Sequence, residues 1–165
     1  MPRQTSSEKG HVGISDSTLR GFAGYNMKRS FNVVQADLAR TLEPFGLRMI
    51  TFTALILIVD NPDLSQTQLA SALTVERSNL VTIVDDLEGK GWIVRNPAPN
   101  DRRSHALRAT REGHRMCERA VKAAREHEER LLAALGKAER ETFIAALQTI
   151  ERAKREEQDG TDGKL

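Results

Sequence analysis

Residues 65–87 carry the tightest constraint in the chain: two short helical patterns separated by only three residues, Thr74-Val75-Glu76. Ser65 is placed to cap the first pattern, and Gln68, at its third helical position, is placed to return the hydrogen bond as a capping box. The first pattern runs over 66–73 and the second over 77–90, with Leu80, Ile83, Val84 and Leu87 on one face and Gly89 and Gly91 at its end. Apolar anchors at Leu69, Ala70, Leu73, Val75, Leu80 and Ile83 across so short a turn make the helices cross steeply and leave the start of the second exposed. The exposed set is Arg77, Ser78, Asn79, Val81 and Thr82. One arginine, short polar groups and one aliphatic side chain suit the reading of base edges in a major groove: arginine to guanine, asparagine to adenine, a methyl to thymine. An ordinary surface helix would carry more Lys and Glu at these places.

The remaining segments arrange themselves around this pair. Residues 1–17 are polar and aperiodic and are expected to be disordered. With Ser15 or Ser17 as its cap, a long helix is predicted from residue 18. Its stripe is Leu19, Phe22, Asn26, Ser30, Val33, Val34, Leu38 and Leu42, over about seven turns of 3.6 residues. It stops before Pro44, with Gly46 behind it. An apolar helix is expected over 51–60. Beyond residue 90, extended runs at 92–95 and 105–108 flank a Pro/Asn/Asp-rich loop, 96–103, as a hairpin. Thr110 then caps a helix in which Gly113 is an early imperfection, with Cys117, Ala120, Val121, Ala124, Leu131, Leu132 and Leu135 inward until Gly136 breaks it. A last helix, from 137 to about 155, is expected to bury Phe143, Leu147 and Ile150. The fold class is mainly α with a small β-hairpin wing. A winged helix-turn-helix lobe over 46–111 is joined to a helical dimerisation region at 18–45 and 112–155, and 156–165 is frayed. The long stripes exceed what one lobe can cover, which implies a homodimer.

Charge bounds the partner. The formal net charge is only +2, but residues 95–111 hold Arg95, Arg102, Arg103, Arg108 and Arg111 against Asp101 alone, while basic and acidic residues balance over 112–157. Such a concentration is the footprint of a phosphate-binding element, and the implied partner is a double-stranded DNA operator. Arg102 and Arg103 at the hairpin tip suit a minor groove, and Asp101 beside them suits holding one guanidinium in a bidentate pair. The single Cys117 forbids an intrachain disulfide, residues 1–13 lack a secretory apolar stretch, and no apolar run nears the ~20 residues of a membrane helix. A cytoplasmic location with no membrane association is expected. His11, His105, His114 and His127 lack metal-ligand spacing. With no nucleophile–base set and no phosphate loop, neither metal, cofactor nor catalysis is expected.

Two stretches, LSQTQLASALTVERSNLVTIVDDLEGKGWIVR and DRRSHALRATREG, resemble the MarR family of multiple antibiotic resistance regulators. Asp101 and Arg103 fall on the family's D-x-R wing positions, and Leu107, Thr110 and Gly113 on its Leu-x-x-Thr-x-x-Gly exit. Glu76 departs from the small capping residue usual there, and Pro99 adds a second proline to the wing. The resemblance implies a dimer with recognition helices about one DNA turn, ~34 Å, apart on a pseudo-palindrome. It implies repression, released when a small effector binds between dimer helices and lobe. The implied effector is an aromatic acid, a phenol or their coenzyme A thioester. Tyr25, Lys28, Arg29, Phe31, Arg40, Arg48 and Phe52 supply rings and cations near that junction, each equally readable as a core aromatic or a surface charge. Two other readings remain. One is a redox-responsive regulator acting through Cys117, although family members that sense peroxide carry their cysteine in the first long helix, which here has none, so that Cys117 reads as a packed thiol. The other is a winged helix that docks proteins, which would not need the wing arginines.

Overall fold

The computed structural model of the chain describes the backbone of residues 14–98 and 101–162, with side chains at 14–97 and 106–153. The expectations for residues 1–13 and 163–165, for Pro99 and for the side chains of Asp101, Arg102 and Arg103 lie outside the described residues. The chain divides into two compact units, one ending at Asp37 and the other beginning at Leu38.

In the first unit the long helix starts later than its periodicity suggests. Leu19–Gly21 is a single 3-10 turn, Phe22 is extended (φ −100°, ψ 126°), and α1 (Ala23–Leu42) begins after it. The reason is local competition for the backbone: the Asn26 side-chain amide donates at 2.8 Å to the carbonyl of Arg20, an acceptor a continuous helix would use, and at 2.9 Å to that of Phe22, which also accepts the Asn26 N–H. Neither expected serine caps a helix here. The Ser15 hydroxyl donates to that of Ser17, and Thr18 makes no side-chain cap. The helix therefore has 20 residues, fewer than seven turns.

The second unit holds the rest of the chain, residues 46–111 included. α1 ends at Leu42, Pro44 sits in a 3-10 turn (Glu43–Phe45), and Gly46 turns the chain at φ 65°. α2 (Met49–Asp60) is apolar on every side, which suits only a helix enclosed by others; Phe52, Ala54, Leu55 and Ile58 are buried in it. The buried Thr51 hydroxyl is satisfied by the Arg48 backbone at 2.9 and 3.0 Å. Then follow β1 (Leu64–Ser65), α3 (Gln66–Leu73), α4 (Arg77–Gly89), β2 (Ile93–Ala98), β3 (Asp101–Ala109), α5 (Arg111–Leu131) and α6 (Lys137–Asp162). The sheet is antiparallel in the order β1-β3-β2.

The wing is longer than the sequence suggests. Most of the expected 96–103 loop is strand, with Asn96 opposite Ala106 and Pro97 opposite His105, and the register breaks between Pro97 and Ala98. Proline is tolerated there because β2 is an edge strand. α6 also exceeds its expected end near 155. Phe143, Leu147 and Ile150 are not buried as expected but exposed, Ile150 by 52%, and none of residues 137–153 is buried within one copy of the chain.

Two backbone positions hold the lobe's corners. α4 ends in a Schellman motif: the Trp92 N–H donates to Leu87 at 3.1 Å and the Gly91 N–H to Glu88 at 2.8 Å, with Gly91 at φ 70°. Gly113 is no imperfection. A Cβ there would lie 1.9 Å from the Trp92 carbonyl oxygen, so only glycine lets α5 pass. Conversely Thr74, in the turn between α3 and α4, holds φ 53°, a region costly for a β-branched residue. Gly113→Ala is expected to destabilise the protein by roughly 3 kcal/mol, although helix propensity alone would favour alanine by about 1 kcal/mol. Thr74→Gly is expected to stabilise it by about 1 kcal/mol. Thermal melting of the two variants checks both signs.

Candidate nucleic-acid interface

The α3–α4 pair forms as its local chemistry requires. The Ser65 hydroxyl accepts from the Gln68 N–H at 3.2 Å, and Gln68 Oε1 accepts from the Ser65 N–H at 2.9 Å. The turn closes with Thr74 N–H to Ser71 and Val75 N–H to Ala70, both 3.1 Å. Glu76 is the N-cap of α4 through its backbone alone, its side chain making no cap bond. Inward, Leu80, Ile83, Val84 and Leu87 join Leu69 in the core. Outward, Arg77, Ser78, Asn79, Val81 and Thr82 are all exposed, on one end of one helix. Arg77 leans back on α3, its Nη2 donating to Thr67 Oγ1 at 3.2 Å, which steadies a long side chain before any ligand arrives.

The basic stretch is less basic than its composition. Arg95 is not the free cation the sequence suggests: it is held by Asp85 and Glu88, two carboxylates three residues apart on the flank of α4. Arg108 is paired with Asp63, which raises its already high pKa by hydrogen bond and by charge. Arg111 is exposed. Arg102 and Arg103 lie at the tip end of β3.

The proposed effector-binding residues behave differently from one another. In the first unit Tyr25 donates to Asp16 at 2.7 Å and Arg20 donates to the same carboxylate at 3.0 Å; these hold Asp16 below the usual carboxylate range, Tyr25 contributing most. Arg29 lies 5.8 Å from the Tyr25 ring centre and Lys28 6.0 Å from that of Phe31, which is exposed. In the second unit Arg40 and Arg48 are exposed. Phe52 is not a surface ring but a core side chain, only 8% exposed, because α2 is enclosed. Arg119 stacks over Phe45 at 5.7 Å, a contact between residues far apart in sequence that no local pattern signals.

Residues 47–105 match the MarR family. The chain is also 35% identical over 136 residues, 82% of each chain, to a putative transcriptional regulatory protein for the hcr operon of Thauera aromatica. The chain belongs to the MarR family. Two solved structures of the transcriptional repressor CouR share its fold. CouR bound to a 23-mer DNA duplex superposes with TM-score 0.80 at 36% identity, over 85% of this chain and 99% of that one. CouR bound to p-coumaroyl-CoA superposes with TM-score 0.74 at 34% identity, over 84% and 98%. As a MarR-family protein the chain is a transcriptional regulator, not an enzyme. Among the described residues no single helix is long and apolar enough to cross a membrane, and no cluster of three or more metal-binding side chains forms.

Cys117 bears on the redox reading. It is 5% exposed, and burial, aided by the charges of Asp60 and Glu118, pushes its thiol up to about 11. The reactive species is the thiolate, which is nearly absent at neutral pH. Alkylation of native Cys117 by iodoacetamide, followed by mass spectrometry, is expected to be slow at pH 7.5. Its rate should still be climbing between pH 9 and 11, where the unfolded chain, with a thiol near 8.5, has levelled off. A native rate that levels off near pH 9 would restore the redox reading.

Proposed function

We propose that two copies of this chain bind a pseudo-palindromic operator as a repressor and that an aromatic acyl-coenzyme A thioester releases them. What carries the reading is the division of α4 into a buried apolar face and an outer face of Arg77, Ser78, Asn79, Val81 and Thr82. Those groups would enter a major groove, with Arg102 and Arg103 in the adjacent minor groove and Asp101 orienting one of them. The DNA-bound CouR supports the DNA half of the reading, and CouR bound to p-coumaroyl-CoA supports the effector class.

Residues 18–45 and 112–155 would form the dimer region and 46–111 the DNA-binding lobe. Phe22, Phe31 and Val33 on one segment and Phe143, Ile144, Leu147 and Ile150 on the other are exposed apolar side chains that a second copy would cover. The effector would use rings and cations from the set Tyr25, Lys28, Arg29, Phe31, Arg40 and Arg48, of which Tyr25 is half-buried and the others exposed. A thioester that prefers a dimer with misplaced recognition helices lowers DNA affinity by the same factor as its own preference.

Three measurements test this. Sedimentation at micromolar concentration should give a dimer; monomer alone would remove the two-fold arrangement. A duplex selected from a random library by the wild-type protein then serves as the specific site. Asn79→Ala should cost ~1–3 kcal/mol on it and far less on a scrambled duplex at the same salt, because asparagine releases no counterion. Arg77→Ala should weaken both. An equal loss on both duplexes for Asn79→Ala would mean that α4 holds DNA without reading it. Adding p-coumaroyl-CoA should release the selected duplex where coenzyme A alone does not; unchanged affinity would exclude this effector class.

A further inference from the structure

Arg95 stands where the wing leaves the lobe and is tied to α4 three times. Its Nη1 lies 2.9 Å from Glu88 Oε2, its Nη2 bonds Asp85, and its backbone N–H donates to Glu88 Oε1 at 3.3 Å. Asp85 and Glu88 are one helical turn apart, so they share a face of α4, and a planar guanidinium spans both as an ammonium does not. The cation is the inner partner: its side chain is 25% exposed, against 56% for Asp85 and 37% for Glu88. Opposite it on β3 is Leu107, a fully buried core residue, so the root of the hairpin is fixed from both sides. Arg95 is turned toward α4, and its charge is already matched.

We infer that Arg95 is a positioning residue that couples the wing to the recognition helix: it touches no DNA but sets where the tip of the hairpin stands once α4 is in the major groove. The inference rests on the assignment of α4 and the wing to DNA made above. A hairpin held only by its backbone at Ile93 and Val94 would pivot about its root, and the tip, several residues out, would move furthest. A third ion pair, Lys90 with Asp86, lies at the same end of α4 without involving Arg95: Lys90 also donates to the Gly46 carbonyl at 2.8 Å and lies 5.1 Å from the Trp92 ring centre.

A double-mutant cycle on the selected duplex separates positioning from charge. In the otherwise wild-type protein, Arg103→Ala should weaken binding about tenfold. In an Arg95→Ala background, itself weaker than wild type, the same substitution should cost threefold or less, because the wing is no longer placed. Arg95→Lys keeps the charge but not the fork, and should recover only part of the loss. Melting curves establish that each variant is folded. Should Arg95→Ala fail to fold, the pair Asp85→Asn and Glu88→Gln opens the same tie from exposed positions, and the Arg103 effect should shrink in the same way. Losses that simply multiply, or full recovery by lysine, would overturn the inference and leave the assignment of the wing standing. No loss from Arg103→Ala in the wild-type protein would overturn both.

Discussion

The burial of one face of α4 is the constraint on which the rest depends. Leu80, Val84 and Leu87 are fully buried and Ile83 nearly so. At roughly 1.5–3 kcal/mol for each such side chain, their burial outweighs anything the outer face contributes to folding. The core therefore fixes the rotation of α4 about its axis. At 3.6 residues per turn that rotation places positions 77, 78, 81 and 82 outward and turns Asp85 and Glu88 toward β2. One packing decision sets both the surface offered to a groove and the carboxylates that receive Arg95.

A second joint carries this geometry into α5. The Trp92 carbonyl accepts the Thr110 N–H at 2.9 Å, and the Thr110 hydroxyl donates to the Gly91 carbonyl at 2.7 Å while accepting the Gly113 N–H at 3.0 Å. Gly113 brings α5 against Trp92 more closely than any side chain would permit. The two ends of the wing hairpin and the start of α5 thus share one hydrogen-bonded corner. No loop separates the base of the hairpin from the start of α5, since Trp92 and Thr110 are bonded directly.

The helical pair was legible because everything that makes it is local. The capping box spans four residues, the turn three, and the buried leucines follow one period, so α3 and α4 lie within a residue of their expected bounds. What stayed hidden depends on partners distant in sequence. β1 has two residues, too few for any pattern, and exists because Leu64 meets Leu107. Pro97 and Asn96 have turn composition yet lie in a strand, since an edge position asks nothing of proline's missing N–H. Gly113 looked like a flaw until Trp92 was beside it. His127, buried at 3%, sits on a helix too charged to suggest an inward histidine. The helix start failed differently, by a local rule misweighted: Ser15 and Ser17 looked like caps, but Asn26 decided the matter from inside the helix.

The same distance effect governs the electrostatics. A stretch with five arginines and one aspartate appears built to hold phosphate, yet Asp63, 45 residues from Arg108, and Asp85, 10 residues from Arg95, are ion partners within the fold. An arginine already matched by a carboxylate releases a counterion from DNA only when that carboxylate is displaced. For a regulator that must find one site among very many, the ratio of specific to non-specific affinity matters more than either alone. On the proposed reading, internal pairing would trim the non-specific side of that ratio, while Ser78, Asn79 and Thr82 stay exposed on α4. On that same reading, Arg95 and Arg108 would fix the shape of the surface, and discrimination would fall to Arg77, Ser78, Asn79, Val81 and Thr82.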